Sequence, residues 1–333
     1  MNTQIQYRSQ PEGVTNIDDV TTIKECWDFS FNNMSRLNEQ LQDKIQNPNI
    51  SVVVAGSYAR MEASKESDLD FFILTEEESE QVLNVREAVT SVAKGLGIKL
   101  PNPEGVFSEV LRFDEIVTNI GSNLDHLTPL AQRLLLLLES QPVYNEDIYI
   151  KAVNNVLDKY LQYVIEDPKR QAVFLLNDTI RYFRSICVNY QYTCWKEEEK
   201  WTLRNIKLRH SRVIMYAGLL LLIVNASKKD EDKLGYIRKH IRYTPIERIV
   251  HVYQDNDDHN FQKVLECYDL FLKKISDKDI RESLRGIDYS ERYSNPYYKE
   301  LKVNSDKLQT ELTRFILANR HNWAPEIFEY LIF

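Results

Sequence analysis

The chain has 333 residues, 43% of them hydrophobic and 28% charged, and its 50 acidic residues outnumber its 42 basic ones for a net charge of −8. At roughly 100–200 residues per domain this predicts two domains, and the composition excludes a disordered or collagen-like chain. The acidic balance also argues against non-specific binding to duplex DNA, which needs Lys and Arg to neutralise phosphates. The longest apolar run, 213–224, is shorter than the ~20 residues a membrane-spanning helix requires, and the first residues lack the apolar stretch of a secretion signal. A cytoplasmic protein with no membrane association is therefore expected. The four cysteines form no CxxC pair and the six histidines no HExxH, which speaks against disulfide staples and a zinc site.

In chain order, 16–46 carries helical spacing at Ile23, Cys26, Trp27, Phe31, Met34 and Leu37, enough for one or two helices capped near Asp18 or Thr22. Asn47-Pro48-Asn49 breaks that pattern. The β-branched run 50–55 reads as a buried strand ending at Gly56, and DLDFFIL at 68–74 as a second strand. A helix is expected over 77–94, with further strands at 98–100 and 106–113. Five of the nine glycines lie between 56 and 121 and none between 122 and 217, so a helical body follows a turn-rich region. Helical spacing recurs at 130–138, 153–165, 172–190, 202–224 and 261–275. The predicted class is α+β: an N-terminal helical segment (1–48) packing on a small mixed-sheet core (49–144), followed by a helical domain (145–333). The boundary is placed at the Pro- and charge-rich link 142–147.

The chemistry concentrates in VVVAGSYARMEASKESDLDFFIL, residues 52–74. Asp68 and Asp70 fall on one side of a strand, with Leu69 and Phe71 on the other. Two neighbouring carboxylates repel unless a cation joins them, and Mg2+ takes oxygen ligands while bridging carboxylates to phosphates. Gly56 allows backbone to approach a phosphate, and Ser57 adds a hydroxyl and an N–H at an expected helix start.

Gly-Ser followed some ten residues later by Asp-x-Asp in a strand resembles the signature of the DNA polymerase β nucleotidyltransferase superfamily. GSYAR and SDLDFFIL are close to its bacterial forms, in which an Arg often follows and a Ser precedes the first Asp. The resemblance implies a nucleotidyltransferase core fold and a metal-dependent reaction. Two Mg2+ ions (Mn2+ as a substitute) clamp an NTP or dNTP while a hydroxyl attacks the α-phosphorus and pyrophosphate leaves. It implies that Asp68 and Asp70 are catalytic metal ligands, and that a third carboxylate sits on a later strand. Glu109 in GVFSEVLRF is the choice; Asp114 and Glu104 compete with it, and an ordinary exposed carboxylate remains open there. Residues 107–145 faintly resemble the corresponding region of protein-PII uridylyltransferase-like enzymes, without a regulatory or phosphohydrolase segment.

Lys200, Arg204, Lys207, Arg209 and Arg212 form a basic run with no acidic residue from 201 to 212. Helical domains of this superfamily often supply a cation to the β- and γ-phosphates, which makes Arg204 and Lys207 nucleotide-binding candidates alongside Gly56 and Ser57. A solvated basic face explains the run equally well. Arg181 and Arg184 form a second basic pair, and Tyr182, Phe183, Tyr190, Tyr192, Trp195 and Trp201 are candidates for stacking a base or for core packing. Tyr58 is expected to pack at the turn, with self-acceptance of a first nucleotide as the sharper alternative. The expected product is a short oligonucleotide or nucleotide signal made without a template; the alternative is nucleotidylation of a protein or tRNA by a regulatory or toxin-type enzyme. A partner effector protein and a role in antiviral defence follow from the resemblance alone. A Walker-type ATPase is excluded, since no GxxxxGK[ST] occurs.

Overall fold

The computed structural model describes residues 5–14, 20–76, 82–101, 110–162, 172–196, 198–228 and 232–332. The chain divides into two compact units, one of Met1–Pro11 and Cys26–Tyr163, the other of Glu12–Glu25 and Val164–Phe333.

In the first unit, Thr21–Lys44 (α1) is one continuous helix, which contributes its residues from Cys26 onward. Then come Ile50–Ala55 (β1), the single turn Gly56–Ala59 (α2), Phe71–Thr75 (β2), Val82–Gly95 (α3), Val110–Arg112 (β3), Phe113–Thr118 (α4), Leu127–Leu138 (α5), Ser140–Tyr144 (β4) and Glu146–Gln162 (α6). The strands form a mixed sheet in the order β3-β2-β1-β4. Strand β1 runs antiparallel to β2 and β4, and β2 runs parallel to β3. Every side chain of β1 and β2 is buried, as expected for interior strands whose two faces are both covered. Val52, Val54, Phe71 and Ile73 join Trp27, Met34, Leu37 and Leu41 of α1 and Val85, Val89 and Val92 of α3 in one apolar cluster. Helix α6 packs on β1, β2 and β4. The α+β class and the small mixed sheet stand as expected.

Three expectations change. The segment 98–100 is not a strand: it makes one ladder-like bond, from Leu69 N–H to the Lys99 carbonyl (2.8 Å), and Pro101 then lacks the donor to extend it. The stretch 140–144 is a strand despite Pro142, because β4 lies at the sheet edge and its pairing with β1 shifts register between Val52 and Val53. The compact unit ends near 163, not 144, because α6 packs on the sheet and on α4 and α5.

The second unit is helical among its described residues: Val173–Lys196 (α7), Glu198–Lys207 (α8), a wide π-turn at Leu208–Arg212, Val213–Ala226 (α9), Lys233–His240 (α10), Pro245–Gln254 (α11), Phe261–Ser276 (α12), Lys278–Ser283 (α13), a 3-10 turn at Tyr289–Ser294, Pro296–Ala318 (α14) and Pro325–Ile332 (α15). Helix α9 is buried nearly all round, which suits a central core helix. Gly218 lets α9 approach α11 closely: a Cβ there would stand 2.7 Å from the Pro245 carbonyl oxygen. Helix α11 begins with a reciprocal cap between Thr244 and Glu247 and has Pro245 in its first turn. Counted through the π-turn, Lys200–Ala226 is long and apolar enough to cross a membrane by length and composition, but 72% of its apolar window is buried inside the protein, as in a core helix.

Candidate active site

The backbone between β1 and β2 is held from several sides. Gly56 has φ +64°, a conformation that favours glycine, and a Cβ on it would stand 2.7 Å from Asp70 Oδ2. The Ala55 N–H donates to the Asp70 carbonyl (2.9 Å), which locks these two ends of the loop together. Within the loop, the Glu62 N–H donates to the Ser57 carbonyl (2.8 Å) and the Ala63 N–H to Ser30 Oγ of α1 (3.0 Å). Gln141 of β4 donates to the Ala59 carbonyl at 2.6 Å. The buried Arg60 guanidinium pairs with Glu62 (2.8 Å) and with Glu139, at the end of α5. Ser64 and Ser67 then close a tight turn ahead of Asp68.

Strand β2 begins at Phe71 and not at 68 as expected, so Asp68 and Asp70 lie in the segment leading into it; both are half-buried while Leu69 between them is fully buried. Asp68 Oδ1 is shielded from solvent and accepts no hydrogen bond from the described residues. Lys99 Nζ stands 3.2 Å from it, near enough to pair as a charge but off the hydrogen-bonding direction. A shielded carboxylate oxygen with an unused lone pair, beside a second carboxylate and a glycine with no side chain to block approach, fits an oxygen-seeking divalent cation. Among the described residues no group of three or more His, Cys, Asp or Glu side chains gathers to hold a metal. Glu109 and Glu104 lie outside the described residues. Asp114, the other competitor, lies in the first turn of α4 and pairs with Arg112 at 3.2 Å.

Gly56→Ala is expected to cost both stability and activity, because the site imposes φ > 0, which alanine disfavours, and the new methyl meets the Asp70 carboxylate. About 1 kcal/mol of strain is expected from the backbone alone. Thermal unfolding and nucleotide turnover, measured together, check this; a variant with wild-type values in both would show the contact to be unimportant.

Tyr58 is 1% exposed and belongs to the apolar cluster under the sheet, its ring 6.3 Å from that of Phe29. Burial and, secondarily, the Asp68 charge push its pKa up to about 12. These observations describe a wall residue whose phenol is held neutral. Ser57 is half-buried beside Gly56.

Arg204 and Lys207 lie in the last turn of α8, in the second unit, both half-buried. The π-turn that follows was not legible in the sequence. Its Arg209 donates to Ser305 Oγ (2.7 Å) and pairs with Asp306 of α14. His210, fully buried, stacks on Phe271 at 4.5 Å, its Nδ1 2.8 Å from the Ile206 carbonyl and its Nε2 facing the Asn304 amide at 3.1 Å. Burial lowers its pKa to about 4, which keeps it neutral in that network. Among the aromatics, Tyr182 and Trp201 are buried and Phe183 stacks on Tyr216 at 4.2 Å, as core residues do. Tyr192 is exposed, with Lys196 Nζ 4.9 Å from its ring centroid. Arg181 pairs with Asp178 at 3.6 Å. Sequence reasoning missed Lys99 and the Arg60–Glu139 pairing, since the partners are distant in the chain and only the fold joins them.

Residues 34–129 match the family model described as a nucleotidyltransferase domain. That interval holds β1, β2, β3 and both carboxylates. No curated protein matches the chain.

Proposed function

We propose, on the premise that residues 34–129 are a nucleotidyltransferase domain of the polymerase β-like superfamily, that the chain transfers a nucleoside monophosphate from an NTP or dNTP to a hydroxyl. Synthesis of a short oligonucleotide or nucleotide signal without a template, in the cytoplasm, is the reading taken. The observation that supports it most is the juxtaposition of Gly56 with Asp70, next to the shielded Asp68 oxygen. Asp68 and Asp70, with Glu109 as the candidate third carboxylate, would hold Mg2+. The bound ions would supply Lewis-acid stabilisation of the charge that develops on the phosphate oxygens and the leaving pyrophosphate.

The chain's own groups set the geometry. Gly56 leaves backbone bare where the triphosphate approaches, and Ser57 adds a hydroxyl beside it. The backbone bond from Ala55 to Asp70 would hold that carboxylate near Gly56 and so align it before substrate arrives. Arg204 and Lys207 are proposed to bind the β- and γ-phosphates. Lys207→Ala should then raise KM for the nucleotide more than it lowers kcat, by about tenfold against twofold or less. Steady-state kinetics with unchanged KM would return Lys207 to a solvated surface role.

The test of the reading is incubation of pure protein with each labelled NTP and dNTP in Mg2+. Soluble labelled oligomers support the synthase. Label on a protein or tRNA acceptor would replace it with the modifying enzyme, and no transfer from any nucleotide to any of these acceptors would overturn both.

A further inference from the structure

Lys99 occupies an unusual place for a half-exposed lysine. Its carbonyl accepts the N–H of Leu69, the residue between the two carboxylates, at 2.8 Å. Its main chain is therefore fixed to the segment that carries Asp68 and Asp70 into β2. Its side chain is 54% exposed and reaches back to Asp68, with Nζ 3.2 Å from Oδ1. That oxygen is the shielded one which accepts no hydrogen bond. The ammonium thus neutralises Asp68 without engaging the lone pair a hard cation would use.

An inner-sphere Mg2+ would sit about 2.1 Å from that oxygen. Two cations on one carboxylate oxygen at such distances repel each other, weakly where both side chains are as exposed as these. A lysine on a flexible four-carbon stem can swing out to solvent; a guanidinium locked in a fork cannot do so as easily.

We propose that Lys99 is the resident counter-ion of Asp68 and is displaced when a divalent cation binds. The inference rests on the proposed role of Asp68 and Asp70 as metal ligands. Its consequence is a coupling: the ion binds weakly alone, because it must evict a cation, and more readily with nucleotide, whose triphosphate offers Lys99 another anion.

The test is a Mn2+ titration of the full chain without nucleotide at low ionic strength, followed by the electron paramagnetic resonance signal of free Mn2+. An exposed pair of this kind is worth little, so Lys99→Met and Lys99→Gln should each bind Mn2+ only about two- to fivefold more tightly than wild type. Lys99→Arg should bind no more tightly than wild type. High salt should shrink the difference, because it screens the competing charge. Equal or weaker Mn2+ binding by both neutral variants, with binding still lost in Asp70→Asn, would overturn the role of Lys99 and leave the metal site standing. Wild type and Asp70→Asn titrating alike would overturn the metal site, and the inference with it.

Discussion

Asp70→Asn is expected to stop nucleotidyl transfer while leaving the protein folded. The substitution keeps the size of the side chain and removes one negative charge from a site proposed to hold a dication. The Ala55–Asp70 bond survives, since it is made by backbone. Lost metal-assisted stabilisation of several kcal/mol corresponds to a fall in rate of on the order of 10²–10³-fold. Asp68→Asn should behave likewise. Without divalent cation, Asp70→Asn should melt no lower than wild type, because removing it relieves repulsion between neighbouring carboxylates. Circular dichroism melts with and without Mg2+, paired with turnover of labelled nucleotide, check both halves. Full activity in the two single variants would remove Asp68 and Asp70 from the mechanism.

The largest loss of stability is expected from Arg60→Ala. The guanidinium is 6% exposed and is paired with Glu62 and with Glu139, whose side chain is fully buried. Removing it leaves buried carboxylates without their cation, a change that costs about 3–5 kcal/mol. At about 2–4 °C per kcal/mol for a unit of this size, the melting temperature should fall by roughly 6–20 °C. Adding Glu139→Gln should recover part of the loss, because the stranded charge is then gone. Activity should fall as well: Arg60 sits between Gly56 and Asp68 and fastens their loop to the end of α5. A melting temperature within a degree of wild type would show that the pairings are dispensable.

The parts of this fold written locally were legible, and the parts made by distant partners were not. Strand β1 could be read to the residue, because a β-branched run between a Pro-containing break and a glycine has few other conformations. Gly56, Asp68 and Asp70 were legible for a similar reason, with chemistry and spacing in one short segment. Strand β4 was hidden by Pro142, which is a breaker in an interior strand and acceptable at an edge, and only the sheet order reveals which applies. Lys99 fell in a segment expected to be a strand, where nothing local singled it out. Its meaning depends on a carboxylate thirty-one positions earlier, brought to it by the Leu69–Lys99 backbone bond. The π-turn at 208–212 gave no signal, since its residues also suit an ordinary helix.

The outer margin of β4 has a bearing on how copies of this protein behave in a crowded solution. An unprotected edge strand invites a second chain to add its own strand, the first step of many aggregation routes. Here Pro142 has no N–H to offer, its carbonyl accepts the Tyr7 hydroxyl at 2.7 Å, and the Val143 carbonyl accepts the Asn38 amide at 3.0 Å. An incoming strand finds one donor missing and two acceptors already engaged, which hinders templated growth on that flank of the sheet.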